Sequence, residues 1–326
     1  MKLIPLTLSL LGSAALVVPN SFGQIVYSDN FDVDNTANWV VNKSTGVNLN
    51  DAGSSANFFY DYSALSIPSA PNSTGGSTRG MQLRANMSGN IFSGLSVSPL
   101  GEGFSGDYVL RFDMWLNYNG RLDGGGNGTT QLAGAGVGTS GTTAQWAGFA
   151  DGVWFASTPD GGSASDYRAY SPLALTGYAS GNAVYSAPSG LINNSGSYYT
   201  TAFPAGQTAP AGQVVSFPQQ TNGTLAGTIA FKWRDVVITK TNNFINWSID
   251  GVSIATVNAT AMSLSTNILF TYFDSNAASS TDLNAPNLLF GLYDNITVTL
   301  VPEPSVAVLT GLGLVALVGF ARRRKR

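Results

Sequence analysis

Hydrophobic and polar positions alternate with a period of two along much of the chain. In Tyr108-Val-Leu-Arg-Phe-Asp-Met-Trp-Leu116, Tyr, Leu, Phe, Met and Leu share one parity, and Val, Arg, Asp and Trp share the other. That pattern predicts a half-buried strand. Gly80–Ala85 alternates in the same way, and Ile25-Val26-Tyr27 opens the patterned region. Asp151–Ala156, Ile268–Phe273 and Leu288–Leu300 read as further strands. Val236–Lys240 leads through Asn242-Asn243 into Phe244–Ile249, and Asp250-Gly251 then turns into Val252–Val257. Asn and Asp-Gly tolerate the left-handed backbone that two-residue hairpins need, so two consecutive tight hairpins are expected. The stretch 157–230, rich in Ser, Gly, Ala, Pro and Tyr, reads as long loops. Many short strands divided by Gly, Asn, Asp and Pro predict an all-β antiparallel sandwich over residues 24–301.

Composition supports a packed β domain. Only 10% of the 326 residues are charged, against roughly a quarter in ordinary soluble domains, while aromatics reach 11%. The chain has no cysteine and no histidine, which removes thiol nucleophiles, His bases and most transition-metal ligand sets. The formal charge of −3 conceals an asymmetry: residues 24–301 hold nine basic and seventeen acidic side chains, a net of −8. An acidic middle argues against nucleic acid, which selects a basic footprint.

The two ends carry different patterns. Residues 1–23 begin with Lys2, run apolar from Leu3 to Val18, and finish on Pro19-Asn20-Ser21-Phe22-Gly23. That order is expected of a signal helix cleaved before Gln24, with a retained anchor as the alternative. At the other end, residues 302–326 place Pro302-Glu303-Pro304 before an apolar run, 306–321, and close on Arg322-Arg323-Arg324-Lys325-Arg326. The prolines refuse helix, and the sixteen-residue apolar run reads as a short transmembrane helix with a positive-inside stop. This ending resembles the PEP-CTERM sorting signal. The resemblance implies an exported protein, handed by an exosortase-type enzyme from transient residence in the inner membrane to the cell surface or extracellular matrix. An ordinary C-terminal anchor is the alternative.

Three segments of the middle resemble concanavalin A-like jelly-roll domains: Ser28–Asp32 followed by Asn38-Trp39, Asn246–Gly251, and Phe290–Val298. The resemblance implies a last strand lying beside the first. It also implies a structural calcium ion held by Asp29, Asp32 and Asp294, although the same residues serve equally as turn formers. Glycosidases need two carboxylates across the scissile bond. The middle has one glutamate, Glu102, on a Gly-flanked loop, and Asp113 reads as readily as a solvent-facing residue. A non-enzymatic protein contacting exopolysaccharide is therefore expected, with a polysaccharide-active hydrolase as the alternative. Candidate sugar-binding side chains are Trp115, Tyr118 and Asn117 at one strand end, Trp146 and Trp154 around the Gly-rich segment, and, as the better exposed candidate, Asp166–Tyr170 through Tyr167, Arg168 and Tyr170. For Trp39, Trp154 and Trp247 the core is the alternative, since tryptophan is heavily buried on average.

Overall fold

A computed structural model describes residues 23–44, 54–85, 93–124, 130–275 and 283–302. The signal helix, the Glu303-Pro304 part of the sorting motif and the 306–321 helix lie outside the described residues. Among the described residues, no helix is long and apolar enough to cross a membrane.

The strands run in chain order as β1 (Ile25–Asp29), β2 (Trp39–Lys43), β3 (Ser55–Asp61), β4 (Arg79–Arg84), β5 (Gly94–Pro99), β6 (Tyr108–Asn117) and β7 (Gln131–Thr139). They continue as β8 (Val153–Ser157), β9 (Tyr167–Tyr170), β10 (Arg234–Thr241), β11 (Phe244–Ile249), β12 (Val252–Asn258), β13 (Asn267–Asp274) and β14 (Phe290–Leu300). Short helices α1 (Ser197–Ala202), α2 (Ala211–Ser216) and α3 (Ala285–Leu288) decorate the loops. The larger sheet has the order β12-β11-β10-β6-β14-β4-β3, with β1 also on β14; the smaller has β2-β5-β13-β7-β8-β9. The expected jelly-roll antiparallel sandwich is therefore present.

β14 organises the larger sheet. One edge pairs with β6 along its length, and the other is shared, Gly291–Tyr293 with β4 and Ile296–Thr299 with β1. A register shift between Asp294 and Thr297, with Asn295 at φ +52°, separates the two partners. The first strand thus lies beside the last. Both expected hairpins form: Asn242 and Asn243 have φ of +48° and +65°, and Asp250 and Gly251 have +50° and +78°.

Parity decides what each sheet buries. Phe112 of β6 meets Phe270 of β13 at 5.0 Å between ring centroids, so Tyr108, Leu110, Phe112, Met114 and Leu116 face the smaller sheet. The smaller sheet is covered on its other face as well. There Leu132, Trp154, Tyr170, Leu269 and Phe273 pack with Trp146 in a second apolar cluster. With both faces dry, β5, β7 and β13 lose their alternation and are buried throughout. The crowding also explains a glycine: a Cβ on Gly136 would collide with the Trp154 Cβ.

Trp39, Trp154 and Trp247 are all in the core, and Trp146 and Tyr118 are buried as well, so Trp154, Trp146 and Tyr118 offer no exposed face to a sugar. The reading of 157–230 as loops alone missed β9. Its Tyr-Arg-Ala-Tyr sequence extends the smaller sheet by pairing with β8.

Candidate functional site

The outward residues of β6, Arg111, Asp113 and Trp115, stand at two-residue steps of roughly 6.8 Å on the outer face of the larger sheet. Each belongs to a different local structure. Asp113 is the middle one, and it is buried at 1% exposure rather than facing solvent. Directly across the ladder on β14 stands Asp294. The two acids are 181 positions apart in sequence, and nothing local to either signals the other.

Segment 62–78 is fastened over this pair. Asn72 donates its backbone N–H and its Nδ2 to the two oxygens of Asp113, at 3.1 and 2.8 Å. Asn295 Nδ2 adds a third bond to Asp113, at 2.8 Å. Asp294 accepts from the Tyr62 hydroxyl at 3.0 Å, Ser73 Oγ at 3.2 Å and the Asn295 N–H at 2.7 Å. The Tyr62 hydroxyl accepts in turn from the Ala70 N–H, and its ring meets Trp233 at 5.2 Å. Burial pushes the Asp294 carboxyl up to about 7; its donors oppose the shift and the neighbouring Asp113 adds to it. Burial likewise pushes the Tyr62 phenol well above its ordinary value.

A cavity lies on either side of this fastening. The first, about 410 Å³, is polar, lined by Asp29, Asn30, Asn35, Asn72, Arg111, Asn295 and Thr297. Arg111 is held there by a bidentate pair with Asp235, at 2.7 and 3.0 Å. The second, about 670 Å³, is a groove lined by Trp115, Phe231, Trp233, Pro68, Pro71, Pro210 and Lys232. Its rings pack edge-on and tilted, Trp115 to Phe231 at 6.2 Å and Trp115 to Trp233 at 5.9 Å. Trp233 is fixed by its Nε1 donating to the Pro68 carbonyl at 2.7 Å. The far wall, from α2, is positioned by Gln213, which donates to Asn117 at the end of β6 and to Gln220. Segment 62–78 is the shared wall, giving Asn72 to the cleft and Pro68 and Pro71 to the groove.

The sugar-binding side chains expected from the sequence do not gather at one place. Trp115 lines the groove, with 3% of its surface exposed. The segment Asp166–Tyr170 is not the exposed patch its Ser- and Gly-rich surroundings suggest. Tyr167 faces the main core, stacked on Tyr199 at 4.1 Å with its hydroxyl donating to the Gly227 carbonyl. Tyr170 points to the opposite face and stacks on Trp154 at 3.8 Å. Arg168 is half-buried, donating to the Ser165 carbonyl and Ser163 Oγ. Two aromatics at odd spacing on a strand covered on both sides must go to different interiors.

The acids expected to hold calcium are also separated. Asp29 accepts from the Phe31 N–H, Asn35 Nδ2 and Trp39 Nε1, which occupy both its oxygens. Asp32 accepts from Asn30, and Asp294 serves Tyr62 and Ser73. Among the described residues, no group of three or more acidic side chains is placed to share a metal ion. These three residues therefore do not fit the expected calcium ion. Pro302, of the sorting motif, ends the described chain and is exposed.

No family model and no curated protein matches the chain. Solved structures with some likeness include a protein of unknown function with a galectin-like fold from Bacillus subtilis, at TM-score 0.39 and 9% identity over 85% of this chain and 96% of that one. A glycoside hydrolase family 16 endo-glucanase from Bacteroides ovatus gives TM-score 0.43 and 16% identity over 84% of this chain and 100% of the other. The Emp46p carbohydrate recognition domain in its potassium-bound form gives 0.37 and 7% over 81% and 88%. Scores this low do not bear on what this chain binds.

Proposed function

We propose that the chain is a non-enzymatic, exported carbohydrate-binding sandwich that takes polysaccharide on the outer face of its larger sheet. One observation carries the reading: a groove walled by Trp115, Phe231 and Trp233 opens on the same face as a cleft of amides and Arg111. Aromatic walls suit the apolar faces of pyranose rings, and planar amides and guanidinium suit their hydroxyls. The fastened segment between them holds both shapes in place before a ligand arrives, which limits the ordering cost of binding.

The test is a glycan array probed with the purified chain, followed by titration of any sugar retained. Trp115→Ala and Trp233→Ala are each expected to weaken that binding at least about tenfold, roughly 1.4 kcal/mol. Unchanged affinity in both variants, with folding intact, would remove the groove from the reading. The sorting tail completes the proposal. In a host carrying an exosortase-type enzyme, replacing Pro302, Glu303 and Pro304 by alanine is expected to hold the chain in the membrane fraction, with the native chain released to the surface.

The Asp113–Asp294 pair favours a second reading, a polysaccharide-active hydrolase, because two adjacent carboxyls with one held near neutrality suit acid–base chemistry. Against it, both carboxyls are already filled by donors from segment 62–78 and Asn295. Turnover of any polysaccharide that vanishes in Asp113→Asn would establish the hydrolase.

A further inference from the structure

Away from that face, four buried oxygens at one end of the sandwich have no hydrogen-bond partner: Asp160 Oδ2, Gln131 Oε1, Asn119 Oδ1 and the Tyr272 hydroxyl. Their residues are between 0% and 2% exposed. Leaving a polar atom buried and unpaired costs about 1–3 kcal/mol, so four together demand an account. The Asn119 Nδ2 is unpaired as well, so whichever way that amide is turned it offers a free oxygen.

Register brings these residues to one place. Gln131 opens β7 opposite Asp274, the end of β13, and its Nε2 lies 3.3 Å from Asp274 Oδ2. Tyr272 is two residues earlier on the same inward parity. β8 pairs Ser157 with Ala133, so the chain leaving β8 runs past the start of β7 and delivers Asp160. Asn119 follows the end of β6 in the facing sheet, next to Tyr118. The Asp160 carboxyl is within electrostatic reach of Asp274, Tyr272 and Tyr118.

Two acids, Asp166 and Asp274, act on Asp160, and the Arg84 guanidinium acts on Tyr272. Asp166 is occupied by Thr158, Asn193 and the Asn194 N–H, and so supplies no partner. Buried acids together with unpaired neutral oxygens are the donor set of a hard cation. No histidine or cysteine exists in the chain to add a softer ligand. Amide, phenol and carboxylate oxygens in an irregular array suit the large, flexible shell of calcium better than the octahedron of magnesium, which keeps much of its water.

We propose that Asp160, Asp274, Gln131, Asn119 and the Tyr272 hydroxyl form a cation site of the calcium class, tying the exit of β8 to the ends of β7 and β13. It shares no residue with Asp29, Asp32 or Asp294 and does not depend on sugar binding. The competing account is that Asp160 is protonated and bonds a neighbouring oxygen, since burial pushes its carboxyl up to about 7.

Thermal unfolding of the chelator-treated chain at about pH 8, with and without Ca²⁺, separates the two. Calcium about tenfold above its Kd is expected to raise Tm by about 3 °C in the native chain and not at all in Asp160→Asn. That variant keeps the shape and removes a buried charge, so it is expected to fold. Terbium provides a measure on the native chain alone: its luminescence, sensitised by the Tyr272 ring, is expected to appear on titration and to be displaced by Ca²⁺. No calcium shift in the native chain, an equal shift in Asp160→Asn, or terbium emission that calcium does not displace would each overturn the site.

Discussion

Trp39→Ala is expected to cost the fold about 3–5 kcal/mol, the range for emptying a large aromatic site in a core. Trp39 opens β2, yet its ring reaches both sheets. It stacks on Phe58 of β3 at 5.3 Å in the larger sheet and meets Phe270 of β13 edge-on at 6.0 Å in the smaller. Phe31 and Tyr27, from the segment around β1, close the remaining sides at 5.7 and 6.4 Å. The indole Nε1 also donates to Asp29 Oδ2 at 3.0 Å, and that carboxylate holds the turn after β1 through the Phe31 N–H. Truncation therefore opens a void between the sheets and strips a buried acceptor of its donor, two losses that add. Trp39→Phe separates them, because it keeps most of the packing and removes only the hydrogen bond; about 1–2 kcal/mol is expected. Urea unfolding measures both through the midpoint at constant slope. A loss under about 1 kcal/mol in the alanine variant would show that the ring does not join the sheets.

The same contact shows what the sequence makes legible. Asp29 and Trp39 sit in a short segment whose pattern already marks an opening strand with a core tryptophan. The Asn242-Asn243 and Asp250-Gly251 hairpins were readable because their turn chemistry is local. Period two placed Asp113 and Trp115 on one face of β6, which is half of the candidate site. The other half was not legible. Asp294, Asn72 and Trp233 reach that face from segments far apart in the chain, and strand periodicity carries no information about which loop covers a sheet. β9 was missed for a related reason: with both faces covered, Tyr167 and Tyr170 lose the polar–apolar alternation that announces a strand. The unpaired oxygens near Asp160 are likewise a property of assembled strand ends and of no single stretch of sequence.

The second large effect belongs to Asp294 and depends on pH. Its folded-state carboxyl is raised to about 7 by burial, above the ordinary value of 3.8 taken for the unfolded chain. Folding therefore takes up a proton between those two values, and stability is fully present below the unfolded value and lost as pH rises through the folded one. Between about pH 5 and pH 8 the loss amounts to roughly two pKa units, or about 2–3 kcal/mol. Other buried acids, Asp160 among them, contribute slopes of the same sign. The informative quantity is thus the difference between the native chain and Asp294→Asn, in which those contributions cancel. The amide has no titration and can still accept from Tyr62 and the Asn295 N–H. It is expected to lag the native chain at about pH 5 and to gain on it by about 2–3 kcal/mol by about pH 8. Tyr62 and Ser73 reach Asp294 from segment 62–78 and donate more strongly to the carboxylate than to the acid, so the bonds that fasten that segment oppose the loss. A difference between the two chains that stays flat with pH would mean that Asp294 is ionised throughout, and that its donors outweigh its burial.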